Sequence, residues 1–406
     1  FPNAHMAVLA SPANAQLLTH CTFIDEIILK IKGEGLKRAW AYFKLFRKKK
    51  FDLVIHYTVR GYLVWTSWLN AKYHVGDKAH LICWPVFRKL GIVYRNHNRS
   101  NHVIDYNFEL LKKLGIHKTA QTKLLLPMSD TIKEKGKTLL QEAGFDMNQQ
   151  IVGIHVGVGY GNKAIEPEKY AAFITKALQS HEIQFVLTGK GKKEKEAIAH
   201  ILERCPSQVA HVKTEILEDL MGVISQYAAY ISVDTGPFHI AAALGIPMLA
   251  IFPTKRVKPM SWGPFRNRHF VIRNNHNCLY DCPHQGCPYT ICSDDISVDM
   301  MGDRLTALLA GEGMSSQEDQ ESHWFKQSLN TLIYYKDSTK KDAETLYKQL
   351  ADWGFYVLKT TDVNLKILRE NDIAIIKNLS GKHKIKLFYL SQKANRFLHH
   401  PPLCDH

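Results

Sequence analysis

The feature that most constrains the fold is a regular alternation of short apolar runs and amphipathic stretches in the second half of the chain. Apolar runs at 151–157, 183–189, 227–233 and 246–253 have the length and composition of buried strands. The segments between them carry apolar residues at helical spacing. Strands that alternate with helices in this way form a parallel sheet that helices cover on both faces. The sequence therefore predicts a doubly wound α/β domain.

The same alternation, less regular, occupies the N-terminal part and predicts a second doubly wound unit over residues 1–128. Residues 129–150 are predicted to be a connector with one helix, and residues 151–311 are the regular domain. After residue 311 the polar stretch "GEGMSSQEDQESHW" is typical of a linker. Residues 312–406 are therefore predicted to be a linker with a small α/β extension. A chain of 406 residues is long enough for two or three domains.

The charge of the chain favours acidic partners. Its 53 Lys and Arg against 38 Asp and Glu give a net charge of +15, which suits nucleic acid, anionic lipid or phosphorylated small molecules. No zinc finger or RNP-like motif is present, so we expect no nucleic-acid partner. The basic segment 36–50, "LKRAWAYFKLFRKKK", is amphipathic. A surface helix that covers a sheet is the favoured interpretation, and adhesion to an anionic membrane face is the alternative.

The length of the apolar runs and the cysteine pattern predict a location. No apolar run reaches the roughly 18 residues of a membrane-spanning helix, and no signal peptide opens the chain. Four of the eight cysteines are scattered, which is not the framework of a secreted disulfide-rich protein. We therefore expect a cytoplasmic protein, with a peripheral position at the inner face of the inner membrane as a further hypothesis.

The other four cysteines lie together in "CLYDCPHQGCPYTIC". They are Cys278, Cys282, Cys287 and Cys292. Four thiolates this close in sequence can form a tetrahedral zinc or iron site, although the spacing is looser than in paired CxxC motifs. Four free thiols, or two disulfides formed during purification, are the alternatives. Because four protein ligands leave no open position, a metal held here would be structural and not catalytic.

The stretch "SVDTGPFHIAAALGIP" predicts a binding site at the end of a strand. It places Asp234, Thr235 and Gly236 in a tight strand-to-helix turn, with His239 one helical turn further on. The free N–H groups and the positive dipole end of such a helix suit a phosphate. Asp or Thr at this position also caps helices without any ligand, and that alternative stays open. The "DTG" triplet also occurs in aspartic proteases, but those are all-β chains and this triplet opens a helix.

Two further turns of the same domain carry similar residues. The loop "HVGVGYGNKAIEP" brings glycines and Lys163 to the end of the first strand, where backbone N–H groups and an ammonium can meet an anion. The turn "LTGKGKKEKE" follows the next strand, and Glu194 or Glu196 in it could bind ribose hydroxyls. A solvated, charged helix start is the favoured interpretation of those two acids. Together, the three turns predict a nucleotide-shaped site.

These residues resemble a known family. "SVDTGPFHIAAALGIPMLAIF" followed by "SWGP" is similar to the pattern of glycosyltransferase family 9, the ADP-heptose:lipopolysaccharide heptosyltransferases. The stretches "RKKKFDLVIHYTVRGYLVWTSWLNAKYHVG", "NHVIDYNFELLKKLGI", "GNKAIEPEKYAAFI" and "LTGKGKKEKE" agree with it. The resemblance covers roughly residues 1–311 and leaves the tail outside. Many family sequences also resemble this one in the cysteine cluster.

The resemblance implies a GT-B fold, in which two Rossmann-like domains face a cleft and the C-terminal one holds the sugar nucleotide. It implies transfer of heptose from ADP-heptose to a lipopolysaccharide core-type acceptor by an inverting mechanism, without a catalytic cofactor. The nucleotide-sugar site would consist of Lys163, Glu194, Asp234, Thr235, Gly236 and His239. In that match Lys163 contacts the diphosphate and Glu194 contacts the ribose, while the other four residues border the diphosphate and the sugar.

Two departures from the family pattern bear on activity. Val158 stands where the family has Ser or Thr, so a hydroxyl contact to phosphate is lost. The family's general base is an Asp in the loop after its opening strand, and the match places that loop upstream of residue 1. We therefore expect no numbered residue here to be that base. A catalytically inactive protein that binds nucleotide or a partner is the alternative function, and a nucleotide-sugar 2-epimerase of the same fold is disfavoured by the "DTGPFHIAAALGIP" pattern.

The metal hypothesis gives a direct test. Protein purified under reducing conditions should contain about one zinc or iron per chain. Cys282→Ser should then lower the melting temperature, because binding of a structural metal is coupled to folding. Metal-free protein whose melting is unchanged by the substitution would leave the four thiols as ordinary side chains.

Overall fold

In the computed structural model of the chain, most of residues 3–314 and three later strands are described. The described residues are 3–57, 71–76, 102–119, 122–158, 164–254, 257, 259–273, 293, 296–314, 357–358, 373–376 and 386–390. The chain divides into two compact units, Phe1–Thr122 and Lys123–His406. Among the described residues, no helix is both long and apolar enough to cross a membrane.

The first unit alternates strands and helices. Its elements are β1 (Ala7–Ala10), α1 (Pro12–Leu18), β2 (Glu26–Leu29), α2 (Gly35–Lys48), β3 (Phe51–His56), β4 (Ala71–Gly76) and α3 (Val103–Leu111). β1 pairs with β2 and β3 pairs with β4, both in parallel. The pattern predicts these elements except β4 and α3. The pattern of "RGYLVWTSWLNA" predicts a further helix, and this stretch lies outside the described residues apart from Ala71, which begins β4.

A pair of histidines is buried between β3 and β4. His56 Nε2 lies 3.2 Å from His74 Nδ1, and the two rings stack with centroids 5.5 Å apart. Burial lowers the pKa of each to about 4, and for His56 the neighbouring imidazole adds to the effect. Both rings are therefore neutral near pH 7, and one donates its ring N–H to the other.

The second unit contains the regular alternation that the sequence predicts. Its elements are α4 (Asp130–Glu142), β5 (Gln150–His155), α5 (Pro167–Ser180), β6 (Ile183–Thr188), α6 (Lys192–Leu202), β7 (Val209–His211), α7 (Leu217–Ile224), β8 (Ala229–Val233), α8 (Gly236–Ala243), β9 (Met248–Phe252), α9 (Pro259–Trp262), β10 (His269–Arg273) and α10 (Val298–Leu309). The strands β7 and β10 and the helices α9 and α10 are not among the predicted elements.

The six strands β5–β10 form one parallel sheet in the order β10-β9-β8-β5-β6-β7. The strands β6, β8 and β9 are buried along their whole length, and β5 is buried from Ile151 onward, as a sheet covered on both faces requires. From β5 the chain proceeds outward through β6 to β7. It then returns to the other side of β5 and proceeds outward through β8, β9 and β10. The topological switch point of the sheet therefore lies between β5 and β8.

Three strands follow near the C-terminus, in the part predicted to be an α/β extension. They are β11 (Val357–Leu358), β12 (Ile373–Ile376) and β13 (Lys386–Leu390). They form an antiparallel sheet in the order β11-β13-β12. The apolar stretches "YVLKTTD" and "DIAIIKNL" contribute to the prediction of this extension, and β11 and β12 fall within them.

The predicted connector packs tightly on the second unit. Its helix α4 lies against α7, and the two backbones meet at Gly136 and Gly222. A Cβ at Gly136 would lie 2.0 Å from the carbonyl carbon of Gly222, and a Cβ at Gly222 would lie 2.3 Å from the Ile132 carbonyl oxygen. Only glycine permits this crossing, because neither backbone can move away without losing the packing of its helix.

This crossing gives a stability prediction. Gly136→Ala should lower the free energy of unfolding by about 3 kcal/mol or more, since the clashing atoms are backbone atoms. Gly302→Ala in α10 is the matched control, because a Cβ there meets nothing within 4 Å in the described part of the chain. The control should stabilise the protein by about 0.5–1 kcal/mol through helix propensity alone. Denaturant unfolding measures both, and equal stabilities for the two variants would contradict the crossing.

Candidate functional site

The carboxyl ends of three neighbouring strands bring the predicted turns together. Within the sheet, His155 at the end of β5 pairs with Ser232 of β8 on one side and with Thr188 of β6 on the other. Residues 156–158, directly after β5, therefore lie between the turns that follow β6 and β8. In open α/β sheets, ligands bind outside the carboxyl ends of the strands at the switch point. This edge is the candidate site.

The start of α8 is fixed by Thr235. Its Oγ1 accepts a hydrogen bond from the Phe238 N–H at 3.3 Å and lies 3.3 Å from Ser232 Oγ. The Phe238 side chain is fully buried and packs edge-on against Phe252, with centroids 6.0 Å apart. Thr235 is thus an N-cap, as one of the sequence interpretations allows, and its hydroxyl is used by the helix itself.

Gly236 leaves the backbone at the start of α8 approachable. Its φ is not in the left-handed region, and a Cβ built there would meet nothing within 4 Å among the described atoms. Neither backbone conformation nor packing within the described chain requires a glycine here. The absence of a side chain therefore leaves room at the positive end of the helix, which is where an anion binds.

Asp234 and His239 form a hydrogen-bonded pair across the first turn of α8. Asp234 Oδ1 lies 2.8 Å from His239 Nε2, with 17% of the Asp side chain and 42% of the His side chain exposed. The imidazole also meets the Trp262 ring at a centroid distance of 6.0 Å. The carboxylate accepts from Nε2–H and so holds the ring in one orientation. The sequence does not predict this contact. It predicts that both residues border a ligand, with a helix cap as the alternative role of Asp234.

Glu194 caps α6 from within the helix. Its Oε2 accepts from the backbone N–H groups of Lys190 and Gly191, at 2.5 and 2.8 Å. Burial acts to raise the pKa of this carboxyl, but the two N–H donors and the nearby His155 hold the pKa below its ordinary value. The sequence predicts either a ribose-binding acid or a solvated helix start. In the structure Glu194 is half-buried and acts as a cap, and a ribose contact stays a prediction.

His155 is a site residue that the sequence reasoning missed. Its side chain is buried, and its Nδ1 lies 3.1 Å from Thr188 Oγ1. Burial lowers the pKa of this imidazole more strongly than Glu194 and Thr188 raise it. A Cβ on Gly157 would lie 2.5 Å from His155 Nε2 and 2.4 Å from Glu194 Oε1. The signal in the sequence is a histidine that ends an apolar strand directly before a glycine loop.

The remaining predicted residues lie outside the described part of the chain. Lys163 is one of them. The others are Cys278, Cys282, Cys287 and Cys292. Where the structure does describe the chain, no group of three or more His, Cys, Asp or Glu side chains is arranged to hold a metal ion. The predicted metal site therefore stays a prediction.

The contact at Gly157 gives a pH-dependent prediction. Gly157→Ala should displace the Glu194 carboxylate from its two N–H donors and lower the free energy of unfolding by about 1 kcal/mol at neutral pH. A carboxylate whose pKa is lowered on folding contributes stability above its unfolded pKa and loses it as the pH falls through the folded value. The difference between parent and variant should therefore shrink on acidification.

Urea unfolding at a series of pH values measures this difference. Val158→Ala, at the exposed neighbouring position, is the control and should leave the stability nearly unchanged. A Gly157→Ala protein as stable as the parent at every pH would show that Glu194 is not held in this way.

Comparisons with known proteins agree with this architecture. The family model "Glycosyltransferase family 9 (heptosyltransferase)" matches residues 40–291. Lipopolysaccharide heptosyltransferase 3 of Escherichia coli is 24% identical over 66% of this chain and 79% of its own length. A glycosyltransferase of family 9 from Veillonella parvula is 19% identical, with a TM-score of 0.63 over 77% of this chain and 90% of the other.

A second solved structure, the E. coli ADP-heptose lipopolysaccharide heptosyltransferase II, has a TM-score of 0.58 at 21% identity. The aligned region covers 77% of this chain and 91% of the E. coli chain. The structural likeness confirms the predicted fold class, α/β of the GT-B type. The family match covers well over half of the chain. The chain therefore belongs to glycosyltransferase family 9, the heptosyltransferase family, and is a glycosyltransferase.

Proposed function

We propose that this glycosyltransferase moves a heptose from ADP-heptose to a lipopolysaccharide core-type acceptor, with inversion at the anomeric carbon. Family membership supports this, together with the names of two relatives, a lipopolysaccharide heptosyltransferase and an ADP-heptose lipopolysaccharide heptosyltransferase. The observation that carries the proposal is the turn Asp234–Gly236 with the Asp234–His239 pair, next to the switch point of the sheet.

The chemistry needs stabilisation of the leaving group. The acceptor hydroxyl oxygen attacks the anomeric carbon and its proton passes to a general base, which we assign to no described residue. The bond from that carbon to the diphosphate oxygen breaks, and its electron pair leaves with ADP. Negative charge on the diphosphate therefore grows as the reaction proceeds. In this proposal the N-terminal dipole of α8 and the N–H of Gly236 would interact more strongly with that growing charge than with the intact donor.

His239 would supply the charged donor to the diphosphate. A neutral imidazole has a single N–H, and Asp234 Oδ1 accepts a hydrogen bond from Nε2. Donation to a phosphate from Nδ1 therefore requires the imidazolium, with a proton on both nitrogens. In this proposal Asp234 is a positioning residue, which orients the ring and balances its charge while Nδ1 faces the anion.

The other side of the switch point would hold the nucleoside. Glu194 Oε1 and His155 Nε2 both lie within 2.5 Å of the point that a Cβ on Gly157 would occupy, and both can accept hydrogen bonds from hydroxyl groups. In neutral His155, Nε2 is an acceptor when Nδ1–H donates to Thr188 Oγ1. We assign this pair of acceptors to the ribose hydroxyls and keep Lys163 as the proposed diphosphate contact.

The remaining elements of the proposal concern cofactors, partners and location. The transfer would need no cofactor, and the cysteine cluster would hold a structural zinc or iron. The partners would be an ADP-sugar, a glycan acceptor of the lipopolysaccharide type and an anionic membrane surface, with no nucleic acid. The protein would act in the cytoplasm, at the inner face of the inner membrane.

The proposal is tested first by nucleotide choice. Isothermal titration calorimetry should show that ADP binds more tightly than UDP or GDP, and ADP-heptose should support transfer to a lipopolysaccharide core acceptor. Equal or tighter binding of UDP would contradict the assigned donor.

The roles of Asp234 and His239 are tested by a double-mutant cycle. His239→Ala should weaken ADP binding about ten- to a hundredfold, since one charged hydrogen bond is worth about 1.5–3 kcal/mol. Asp234→Asn should weaken it less. In the His239→Ala background, Asp234→Asn should have almost no further effect, because Asp234 acts through the ring.

The matched control for this cycle is His181→Ala. His181 follows α5, at the amino edge of the sheet, and its Nε2 contacts Thr306 Oγ1 at 2.8 Å. This control should bind ADP like the parent. If Asp234→Asn kept its full effect without His239, the carboxylate would contact the ligand directly, and the sugar hydroxyls would be its partners.

A further inference from the structure

The helix α2 is fixed to the first unit by one of its faces. Tyr42 and Phe46 are buried, and the Ile31 N–H donates to Tyr42 Oη at 2.9 Å. Phe46 packs edge-on against Phe51, at a centroid distance of 6.1 Å. Lys49, directly after the helix, pairs with Glu26 of β2. These contacts determine which side of α2 faces outward.

The outward side carries a second apolar stripe. Leu36, Trp40 and Phe43 follow the i, i+4, i+7 spacing of one helix face. Leu36 is 88% exposed, Trp40 is 57% exposed and Phe43 is partly buried. The Trp40 and Phe43 rings stack with centroids 5.2 Å apart. Single exposed apolar side chains are ordinary, whereas an aligned row on one helix marks an interaction surface.

A row of cations adjoins this stripe. Lys37 and Lys44 each follow an apolar position of the stripe by one residue, and Lys48 lies one helical turn after Lys44, so the three lie along one edge of the stripe. Lys44 Nζ lies 5.7 Å from the Trp40 ring centroid. α2 contains no Asp or Glu. Lys37 and Lys48 form no ion pair with any residue that the structure describes. The surface therefore combines exposed apolar side chains with positive charges that no described acid neutralises.

We propose that the Leu36–Trp40–Phe43 stripe and the lysine row of α2 dock on a bilayer surface that carries anionic headgroups. An interfacial helix has this composition, with Trp and Leu on the apolar side and Lys on the polar side. Lysine stems can lie along the apolar boundary while the ammonium groups reach the headgroups. A protein partner fits less well, because protein interfaces are depleted in lysine.

The biological role that we give to this docking surface rests on the proposed function. An acceptor of the lipopolysaccharide type is anchored in a membrane by its lipid. An enzyme held at the membrane surface by α2 would meet that acceptor by diffusion in two dimensions. The docking surface itself is argued only from the residues of α2 and its neighbours.

Vesicle co-sedimentation tests the docking. The intact protein should bind vesicles of phosphatidylcholine and phosphatidylglycerol in equal parts, and binding should weaken as salt is raised. It should bind vesicles of phosphatidylcholine alone much more weakly. Leu36→Ala with Trp40→Ala should lower the affinity roughly tenfold. Lys44→Gln with Lys48→Gln should lower it roughly fivefold for each cation removed.

Matched controls lie in the second unit. Leu125→Ala removes a leucine that is 61% exposed, and Lys133→Gln with Lys137→Gln removes two lysines of α4. Both controls should bind the anionic vesicles like the parent, and circular dichroism should show every variant folded. Failure of the parent to bind anionic vesicles, or equal losses in the α2 variants and the controls, would overturn the proposal.

Two further measurements separate this inference from its alternatives. Sedimentation velocity should show that the parent does not dimerise through α2. A dimer that Trp40→Ala dissociates would show that the stripe is a contact between two copies of this chain. Calorimetry with ADP, without vesicles, should give the same affinity for the parent and the α2 variants. A parent that binds ADP but not vesicles contradicts the membrane docking and leaves the proposed heptose transfer standing. A parent that binds vesicles but not ADP contradicts the proposed heptose transfer and leaves the docking standing.

Discussion

The parallel pairing of β5 with β8 is the contact on which the candidate site depends. Because the chain leaves β5 in one direction and returns on its other side, the helices that follow these two strands diverge and leave a crevice between their starts. Residues 156–158, directly after β5, and the turn after β8 border that crevice. Burial of the central strands on both faces keeps this edge rigid, so the side chains at the strand ends are held by the core and not by the loops.

Several groups at this edge serve the fold as well as the candidate site. Thr235 caps α8, Glu194 caps α6, and Asp234 holds His239. Thr235 and Glu194 thereby satisfy backbone N–H groups that helix starts leave without partners, and Asp234 fixes the orientation of an imidazole ring. A substitution at any of them changes both stability and binding, so a loss of activity alone does not identify a ligand contact. Gly236 is different, because neither the backbone conformation nor the packing of the described residues requires a glycine at this position.

The sequence predicts elements whose pattern is local and misses contacts that depend on spatial neighbours. The strands β5, β6, β8 and β9 are continuous apolar runs, and their alternation with helices is sufficient for the fold class. β7 has three residues and too little sequence for a period. The Asp234 turn was predicted from its strand-to-helix position. The hydrogen bond between Asp234 and His239 cannot be predicted from their spacing, because it depends on the rotamers of both side chains.

The buried His56–His74 pair has a consequence for how the chain takes up protons. An unfolded chain would protonate both imidazoles as the pH falls below their ordinary pKa of 6.5, whereas the folded chain does so only near pH 4. Between these values the unfolded state binds more protons, and this difference favours unfolding as the medium becomes more acidic. In mild acid the folded first unit therefore gains no positive charge from this pair. Burial of the two rings removes part of the proton uptake that a chain with many histidines would otherwise show between pH 6.5 and 4.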